Sequence, residues 1–182
     1  MEKLIIFGIL SIPILILSRK TLFNFRSHGF YRFFSWECIL WLFVSNYRFW
    51  FENAFGIRQI FSWIFLCLGA YLVIAGVIWL KKAGKAAKTR DEEPLFEFEK
   101  TSELVDTGIF KYIRHPLYSS LIFLTWGIFL KNVTLTLFIV TLASTVFLYL
   151  TAVFDEKECI RYFGDKYQEY RKQTKMFIPF LL

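Results

Sequence analysis

Two short polar clusters stand beside long apolar runs and are the residues best suited to carry chemistry. The first is Arg114-His115-Pro116, which begins an apolar run. A helix accepts proline at its first position, so Arg114 and His115 are predicted at a helix N-terminus. Free backbone N–H groups and the positive end of the helix dipole point there, which favours binding of a carboxylate. The alternative is an Arg/His pair that anchors the helix end to lipid headgroups.

The second cluster is Asp155-Glu156-Lys157-Glu158, which directly follows the apolar run of residues 133–154. Acids at a helix C-terminus oppose the helix dipole and, near an anionic leaflet, meet like charge, so a positive partner is expected. That partner is either a cationic ligand or an ion pair with Arg114 or a loop lysine. Because Lys131-Asn132 predicts a turn between the two apolar runs, they form a helical hairpin. Both clusters are therefore expected at the same end of the hairpin, facing one pocket.

The elements that position these clusters are predicted to be transmembrane helices. A span needs about 20 mostly apolar residues, and five runs serve: residues 4–17, 33–51, 60–80, 116–130 and 133–154. With the N-terminus outside, 18 of the 22 basic residues fall in the cytoplasmic segments and 4 in the outer ones. That asymmetry follows the positive-inside rule. A four-span arrangement would place the two large basic segments on opposite sides and is rejected.

The predicted fold is an all-α integral membrane protein with about five transmembrane helices, N-out and C-in, in the inner or plasma membrane. One membrane domain is predicted for residues 1–182: three spans in 1–80, a cytoplasmic loop in 81–115, and a hairpin with a cytoplasmic tail in 116–182. The tail is predicted to form an amphipathic cytoplasmic helix, because its apolar side chains recur at helical spacing. These side chains are Ile160, Phe163, Tyr167 and Tyr170.

Composition agrees with a membrane protein. The apolar residues make up 56% of the chain and the charged ones 20%, against about half and a quarter in ordinary globular proteins. The net charge of +7 comes from basic residues that flank apolar runs, so membrane lipids are predicted as partners and nucleic acid is not. The three cysteines are far apart and lack metal-ligand spacing, which predicts free thiols and no metal site.

A histidine and an acidic run in the predicted cytoplasmic loops are interpreted without assigning them a role in the site. His28 lies in the first cytoplasmic loop and is predicted to be solvated or interfacial. The acidic run of residues 91–99 is predicted to be a solvated loop, although its Pro94-Leu95-Phe96 could form a lid over a lipid-accessible site.

An ordered set of motifs runs from about residue 104 to the C-terminus. It comprises Gly108-Ile-Phe-Lys-Tyr-Ile-Arg114-His115-Pro116-Leu-Tyr118, Asp155-Glu156, Phe163-Gly164-Asp-Lys-Tyr167-Gln-Glu-Tyr170 and Phe177-Ile178-Pro179. The set resembles the membrane methyltransferases, a superfamily that includes isoprenylcysteine carboxyl methyltransferase and the phospholipid N-methyltransferases. Each motif alone is weak, whereas their order and spacing across a helical hairpin are specific.

The resemblance implies methyl transfer from S-adenosylmethionine to a lipid-like or small hydrophobic acceptor at the cytoplasmic face. An isoprenylcysteine carboxylate and a phospholipid amine are the implied acceptor types. The resemblance also implies a cofactor pocket at the cytoplasmic ends of the last helices. Its residues would be Leu104, Val105, Gly108, Tyr112, Arg114, His115, Tyr118, Asp155, Glu156, Tyr167 and Tyr170.

The resemblance further implies roles within that pocket. Arg114 and His115 would meet the methionine carboxylate, and Glu156 with Asp155 would bind the ammonium or ribose hydroxyls. If the acceptor is a carboxylate, Arg114 or Arg171 could orient it, whereas an amine acceptor needs an acid or water to take its proton. Methyl transfer from a sulfonium requires positioning and a dry pocket, with no need of a metal.

Four positions depart from the superfamily's usual pattern. Phe110, Ser102 and Met176 stand where Tyr, His and Arg are common, and Asp155 replaces the first of two glutamates. These departures motivate an alternative: a non-catalytic membrane assembly or interaction protein that has kept the fold. A small transporter is disfavoured, because no charge is expected near the bilayer midplane.

Overall fold

The architecture is helical throughout the part of the chain that a computed structural model describes, residues 1–85, 95–96 and 99–179. Six α-helices follow one another there: α1 (Glu2–Ser18), α2 (His28–Asn46), α3 (Ile57–Ala83), α4 (Pro116–Phe129), α5 (Leu135–Phe163) and α6 (Asp165–Gln173). The strand-like pairing within these residues is one isolated parallel bridge between Ile113 and Lys175. Each predicted apolar run is thus a helix, and the all-α prediction is confirmed.

Helix α5 is longer than the sequence predicted. It begins after Thr134, whose hydroxyl caps the helix, and continues well past residue 154 to Gly164, where φ is 62°. The expectation that the acids follow the helix was therefore wrong. Asp155 and Glu156 project from the side of a helix, where neighbouring elements bury and pair their charges, so the charges do not end it.

The predicted tail helix is correspondingly shorter. Ile160 and Phe163 belong to α5, and the separate helix α6 begins only at Asp165. On α6, Tyr167 and Tyr170 are buried, whereas most of the remaining residues are exposed. The amphipathic character predicted for the tail is therefore found in α6.

The helices pack as two main pairs, α2 against α5 and α3 against α4, linked by the α4–α5 hairpin. Small residues allow α3 to approach α4 closely: a Cβ on Gly69 would lie 3.0 Å from the Ser120 carbonyl oxygen. The Ser62 hydroxyl donates a 2.7 Å hydrogen bond to the Gly127 carbonyl across the same pair. Small residues and interhelical hydroxyl bonds are typical of helix packing in membranes.

The hairpin turn is held at the end of the molecule opposite the predicted site. Lys131 is fully buried there, and its ammonium lies 3.7 Å from the centre of the Trp63 ring. The same ammonium donates to Gln59 Oε1 at 3.1 Å. A buried cation held by an aromatic face and an amide fixes the turn, and thereby the register of α4 against α5.

Two helices, α3 and α5, are long and apolar enough to cross a bilayer. Only 17% of the apolar window of α3 and 33% of that of α5 are buried, whereas the core helix of a soluble protein would be mostly covered. Large apolar side chains are exposed along α3: Ile60, Phe61, Ile64, Leu68, Tyr71, Val73, Ile74 and Ile78. Such a surface is suited to lipid. The count of five spans and the N-out orientation stay predictions.

Candidate functional site

A cavity lies where the end of α3, the segment before α4, the start of α4, the end of α5 and helix α6 meet. The cavity is open to solvent: the centre of a water-sized sphere can occupy ≈ 100 Å³ of it, and its empty space is ≈ 650 Å³ with the open mouth included. Small-molecule pockets typically measure about 300–1,000 Å³, so a ligand of cofactor size must extend into the mouth.

Most of the predicted site residues line this cavity. Those that do are Leu104, Val105, Arg114, His115, Tyr118, Asp155, Tyr167 and Tyr170. Four others do not line it: Gly108, Tyr112, Glu156 and Arg171. The Tyr112 side chain is 49% exposed. The two clusters chosen from the sequence are therefore together in space, but only part of each faces the cavity.

The segment that carries Arg114 and His115 pairs with the chain after α6. The Arg114 N–H donates to the Lys175 carbonyl at 2.8 Å, and the His115 N–H donates to the Met176 carbonyl at 3.1 Å. In return, the Lys175 N–H donates to the Tyr112 carbonyl at 3.2 Å. The expectation that free N–H groups here bind a ligand carboxylate is thus wrong for these two residues, because their N–H groups already have acceptors.

Glu156 is the centre of a buried ion-pair network. Its Oε1 lies 2.7 Å from Arg114 Nε and its Oε2 lies 2.9 Å from Arg171 Nε, while its own side chain is 5% exposed. The Arg114 guanidinium also donates to the carbonyls of Arg171 and Thr174. Of the two alternatives for the acidic cluster, the ion pair with Arg114 is the one that Glu156 adopts.

Asp155 is differently placed, because its carboxylate lines the cavity. Its Oδ2 lies 3.5 Å from His115 Nδ1. The Cys159 thiol donates weakly to Oδ1 at 3.7 Å. None of these neighbours is an arginine or lysine. Asp155 is therefore the acid of the cluster that can bind a cationic ligand.

His115 connects the two acids. Its ring stacks on Tyr118 at 5.3 Å between centroids, and its Nε2 lies 3.4 Å from Glu156 Oε1 without making a well-aligned hydrogen bond. Burial alone would lower the pKa of His115, but the Asp155 and Glu156 carboxylates outweigh burial and raise this pKa above its ordinary value. The two carboxylates thus favour the protonated form of His115.

The aromatic side chains of α6 close one side of the cavity. The Tyr170 hydroxyl donates a 2.6 Å hydrogen bond to the Phe110 carbonyl, which ties α6 to the segment before α4. Burial raises the pKa values of Tyr167 and Tyr170, so both phenols stay neutral. Because Phe110 contributes its carbonyl, its lack of a hydroxyl does not remove this contact.

Two residues of the site region were not foreseen from the sequence. Glu99, expected in a solvated acidic loop, lines the cavity with its side chain 12% exposed, 3.6 Å from Arg32 Nη1. Burial raises the pKa of Glu99, although the Arg32 guanidinium opposes this shift. The rest of the acidic run falls mainly outside the described residues. His28, expected to be solvated, is 0% exposed. Their partners are distant in sequence, so no local pattern could have revealed either.

One group within the described residues has the composition of a metal site. His28, Asp155 and Glu158 place one possible ligand atom each within 4.8 Å of one another. However, His28 Nδ1 lies only 2.6 Å from Glu158 Oε2, whereas ligand atoms around tetrahedral zinc are about 3.3 Å apart. We therefore interpret the group as hydrogen-bonded side chains.

Substitution of Gly108 tests how closely the segment before α4 packs against α3. Its φ is +60°, and a Cβ there would lie 2.0 Å from the Trp79 ring of α3. Gly164 has a φ of +62°, but a Cβ there would meet nothing within 4 Å. We expect Gly164→Ala to cost roughly 1–3 kcal/mol of backbone strain, and Gly108→Ala to cost clearly more because it adds a clash. Thermal unfolding in detergent compares the two, and equal melting temperatures would contradict this seating.

The fold and the site together define a helical membrane protein with a mostly apolar pocket, holding a few charged side chains, at one end of a helical hairpin. The sequence model of the phospholipid methyltransferase family matches residues 57–166, from the start of α3 to the start of α6. The chain belongs to the phospholipid methyltransferase family. The resemblance to membrane methyltransferases drawn from the motifs is thereby confirmed.

Named relatives are methyltransferases of two kinds. The protein-S-isoprenylcysteine O-methyltransferase of Schizosaccharomyces pombe is 30% identical over 136 residues, which cover 70% of this chain and 52% of that protein. Methanethiol S-methyltransferases of Pseudomonas deceptionensis and Crocosphaera subtropica are 29% and 30% identical over 40% and 41% of this chain. The chain spans between about a quarter and about half of the length of these relatives. No solved structure matches the chain.

Proposed function

We propose that this chain transfers a methyl group from S-adenosylmethionine to a lipid-like or small hydrophobic acceptor at the cytoplasmic face of a membrane. Membership of the family and the methyltransferase names of the relatives support methyl transfer. The observation that carries the proposal is the cavity, in which the Asp155 carboxylate and the His115 imidazole stand among aromatic side chains.

The residues around the cavity fit S-adenosylmethionine, which carries a sulfonium, an ammonium, a carboxylate and a flat adenine. Asp155 matches a positive group, and His115, whose buried Nε2 makes no hydrogen bond among the described residues, matches the carboxylate. The buried rings of Tyr118 and Tyr167 provide aromatic surface for the adenine. When bound, the cofactor supplies a methyl group activated by the positive charge on sulfur.

The protein's own task in this reaction is to position the acceptor and exclude water. Arg114 donates to Glu156 and to two carbonyls, and so it fixes the position of the chain after α6. Arg171 pairs with the same carboxylate but its side chain is 44% exposed, which leaves it at the surface beside the cavity. There it could orient a carboxylate acceptor. For an amine or thiol acceptor, Glu99 lines the cavity and could take the proton.

An apolar cleft beside the cavity provides a route for the acceptor. It measures ≈ 620 Å³ and is lined by Phe65, Ser119, Ile122, Phe123, Trp126, Thr145, Val146, Tyr149, Met176, Phe177 and Ile178. The Phe177 ring stands 6.4 Å from the His115 ring between centroids, so the cleft adjoins the wall of the cavity. An apolar acceptor dissolved in the bilayer would enter along this cleft.

The positions that depart from the superfamily pattern do not disrupt the cavity. The Ser102 hydroxyl donates to the Lys85 carbonyl at 3.0 Å, and Met176 packs against the cluster of Tyr118, Ala152 and Phe177. Each departing side chain therefore has a packing or hydrogen-bonding role of its own. The alternative of a non-catalytic protein with the same fold gains no support from these positions.

We propose the membrane arrangement predicted from the sequence, a single domain of five spans with the N-terminus outside and the site inside. Helices α1, α2 and α4 supply the remaining three spans, and α1 exposes Leu4, Ile5 and Ile9 along its length. The distribution of 18 basic residues inside and 4 outside supports this orientation.

The decisive experiment combines binding with product identification. The purified protein in detergent is titrated with S-adenosylmethionine by calorimetry, and membranes containing the protein are incubated with the methyl-labelled cofactor and a lipid extract. We expect saturable binding and a labelled lipid-soluble or volatile product that membranes lacking the protein do not make. Folded protein that neither binds the cofactor nor labels any product would overturn the proposal.

A further inference from the structure

His28 makes an unusually complete contact with one carboxylate of α5. It is the first residue of α2, and its backbone N–H donates to Glu158 Oε1 at 3.0 Å. Its side-chain Nδ1 lies 2.6 Å from Glu158 Oε2. Because an ionised carboxylate only accepts hydrogen bonds, Nδ1 carries the proton and donates it. One residue of α2 thus occupies both oxygens of Glu158.

This contact also places Glu158 at the N-terminus of α2. The first N–H groups of a helix lack partners within the helix, and the helix dipole favours negative charge there. Glu158 is 9% exposed and therefore acts as a buried cap supplied by another helix. The end of α5 is fixed onto the start of α2 by residues 130 positions apart in sequence.

Asp155 lies on the same face of α5, three residues before Glu158. Its Oδ1 is 3.9 Å from His28 Nδ1, and its Oδ2 is 3.5 Å from His115 Nδ1. The cavity-lining carboxylate is thus flanked by two imidazoles, one from each side. Without His28, the two acids one turn apart would lose the N–H that lies between them, and among the described side chains only His115 and Cys159 would hold the Asp155 carboxylate in place.

The other charged groups near this cluster do not replace His28. Glu99 adds a further acid, and Arg32, one turn along α2, lies 3.6 Å from Glu99. We infer that His28 is a positioning residue that holds the Asp155 carboxylate at the cavity by fixing Glu158 and lying beside Asp155. His28 precedes the region matched by the family model, residues 57–166, and the inference rests on the proposed function.

Three substitutions of His28 separate positioning from simple packing. Asparagine carries an amide N–H near the place of Nδ1, whereas glutamine carries it near the place of Nε2. A displaced Asp155 carboxylate would lose its own hydrogen bond to the ligand, and loss of a hydrogen bond to a charged group corresponds to about 10- to 100-fold in affinity. We expect His28→Ala and His28→Gln to weaken S-adenosylmethionine binding to that extent, and His28→Asn to stay close to the parent, all by calorimetry in detergent.

Ser27→Ala is the matched control, because the Ser27 hydroxyl accepts from the Gly29 N–H at 3.2 Å and caps the same helix without touching Glu158. This variant should lower the melting temperature and leave the affinity for S-adenosylmethionine unchanged. If the parent binds no S-adenosylmethionine, the proposed function fails. If the parent binds and His28→Ala binds equally well, or if asparagine weakens binding as much as glutamine, the positioning role of His28 is overturned.

Discussion

Glu156→Ala should strongly destabilise the protein. Glu156 is 5% exposed on its side chain and pairs with Arg114 Nε at 2.7 Å and with Arg171 Nε at 2.9 Å. Removing one member of a buried ion pair leaves its partner's charge uncompensated, which typically costs about 3–5 kcal/mol. Arg114 would be that partner, since its side chain is 9% exposed.

Loss of Glu156 would also weaken the contacts that hold the chain after α6. The Arg114 guanidinium donates both to Glu156 and to the carbonyls of Arg171 and Thr174, so we expect these carbonyl contacts to weaken when Glu156 is removed. The chain after α6 in turn supplies the backbone partners of Arg114 and His115. We therefore expect Glu156→Ala to lower the melting temperature and to expose the tail to limited proteolysis after α6.

Glu169→Ala is the matched control for this prediction. Glu169 pairs with Lys172 at 2.6 Å, but both side chains are more than half exposed, at 64% and 70%. Exposed pairs of this kind contribute about 0–1 kcal/mol. Thermal unfolding of both variants in the same detergent measures the difference. Equal melting temperatures would show that the Glu156 network is not a stabilising element.

The sequence predicted the helices and the meeting of the two clusters because both depend on short-range patterns. Long apolar runs predict helices, and Pro116 indicates where α4 begins. A short turn at Lys131-Asn132 forces the two runs into a hairpin. Arg114 and Glu156, distant in sequence, are therefore neighbours, as their 2.7 Å ion pair confirms.

The features of the structure that the sequence did not predict depend on contacts between residues distant in sequence, which produce no local sequence pattern. The apolar run ends at residue 154, yet α5 continues to Phe163 because acids that are paired by arginines and histidines need not end a helix. The backbone pairing of Lys175 with Tyr112 involves no characteristic side chains. His28 and Glu158 look like ordinary solvated residues until the packing of α2 on α5 brings them together.

Asp155→Asn should strongly weaken cofactor binding and should destabilise the protein less than Glu156→Ala does. Asp155 lines the cavity, and its nearest basic groups are two imidazoles at 3.5 and 3.9 Å. Asparagine keeps the size and one acceptor oxygen, replaces the other oxygen with an NH2 donor, and removes the charge. A carboxylate bonded to a cationic group contributes about 1.5–3 kcal/mol, so affinity for S-adenosylmethionine should fall by roughly 10- to 100-fold.

Binding of S-adenosylhomocysteine shows which positive group Asp155 recognises, because this ligand lacks the positive charge on sulfur but keeps the ammonium. If Asp155 faces the sulfonium, Asp155→Asn weakens binding of S-adenosylmethionine more than binding of S-adenosylhomocysteine. If Asp155 faces the ammonium, both ligands lose affinity equally. Calorimetry of the two ligands on the parent and the variant therefore identifies the group that the carboxylate recognises.

Asp165→Asn provides the control, since Asp165 is exposed at the start of α6 and takes no part in lining the cavity. It should bind both ligands like the parent. An Asp155→Asn variant that also binds like the parent would remove Asp155 from the cofactor site. A variant that instead unfolds as readily as Glu156→Ala would show that both neighbouring acids serve stability, and the division of roles between the cavity-lining and the arginine-bound carboxylate would be wrong.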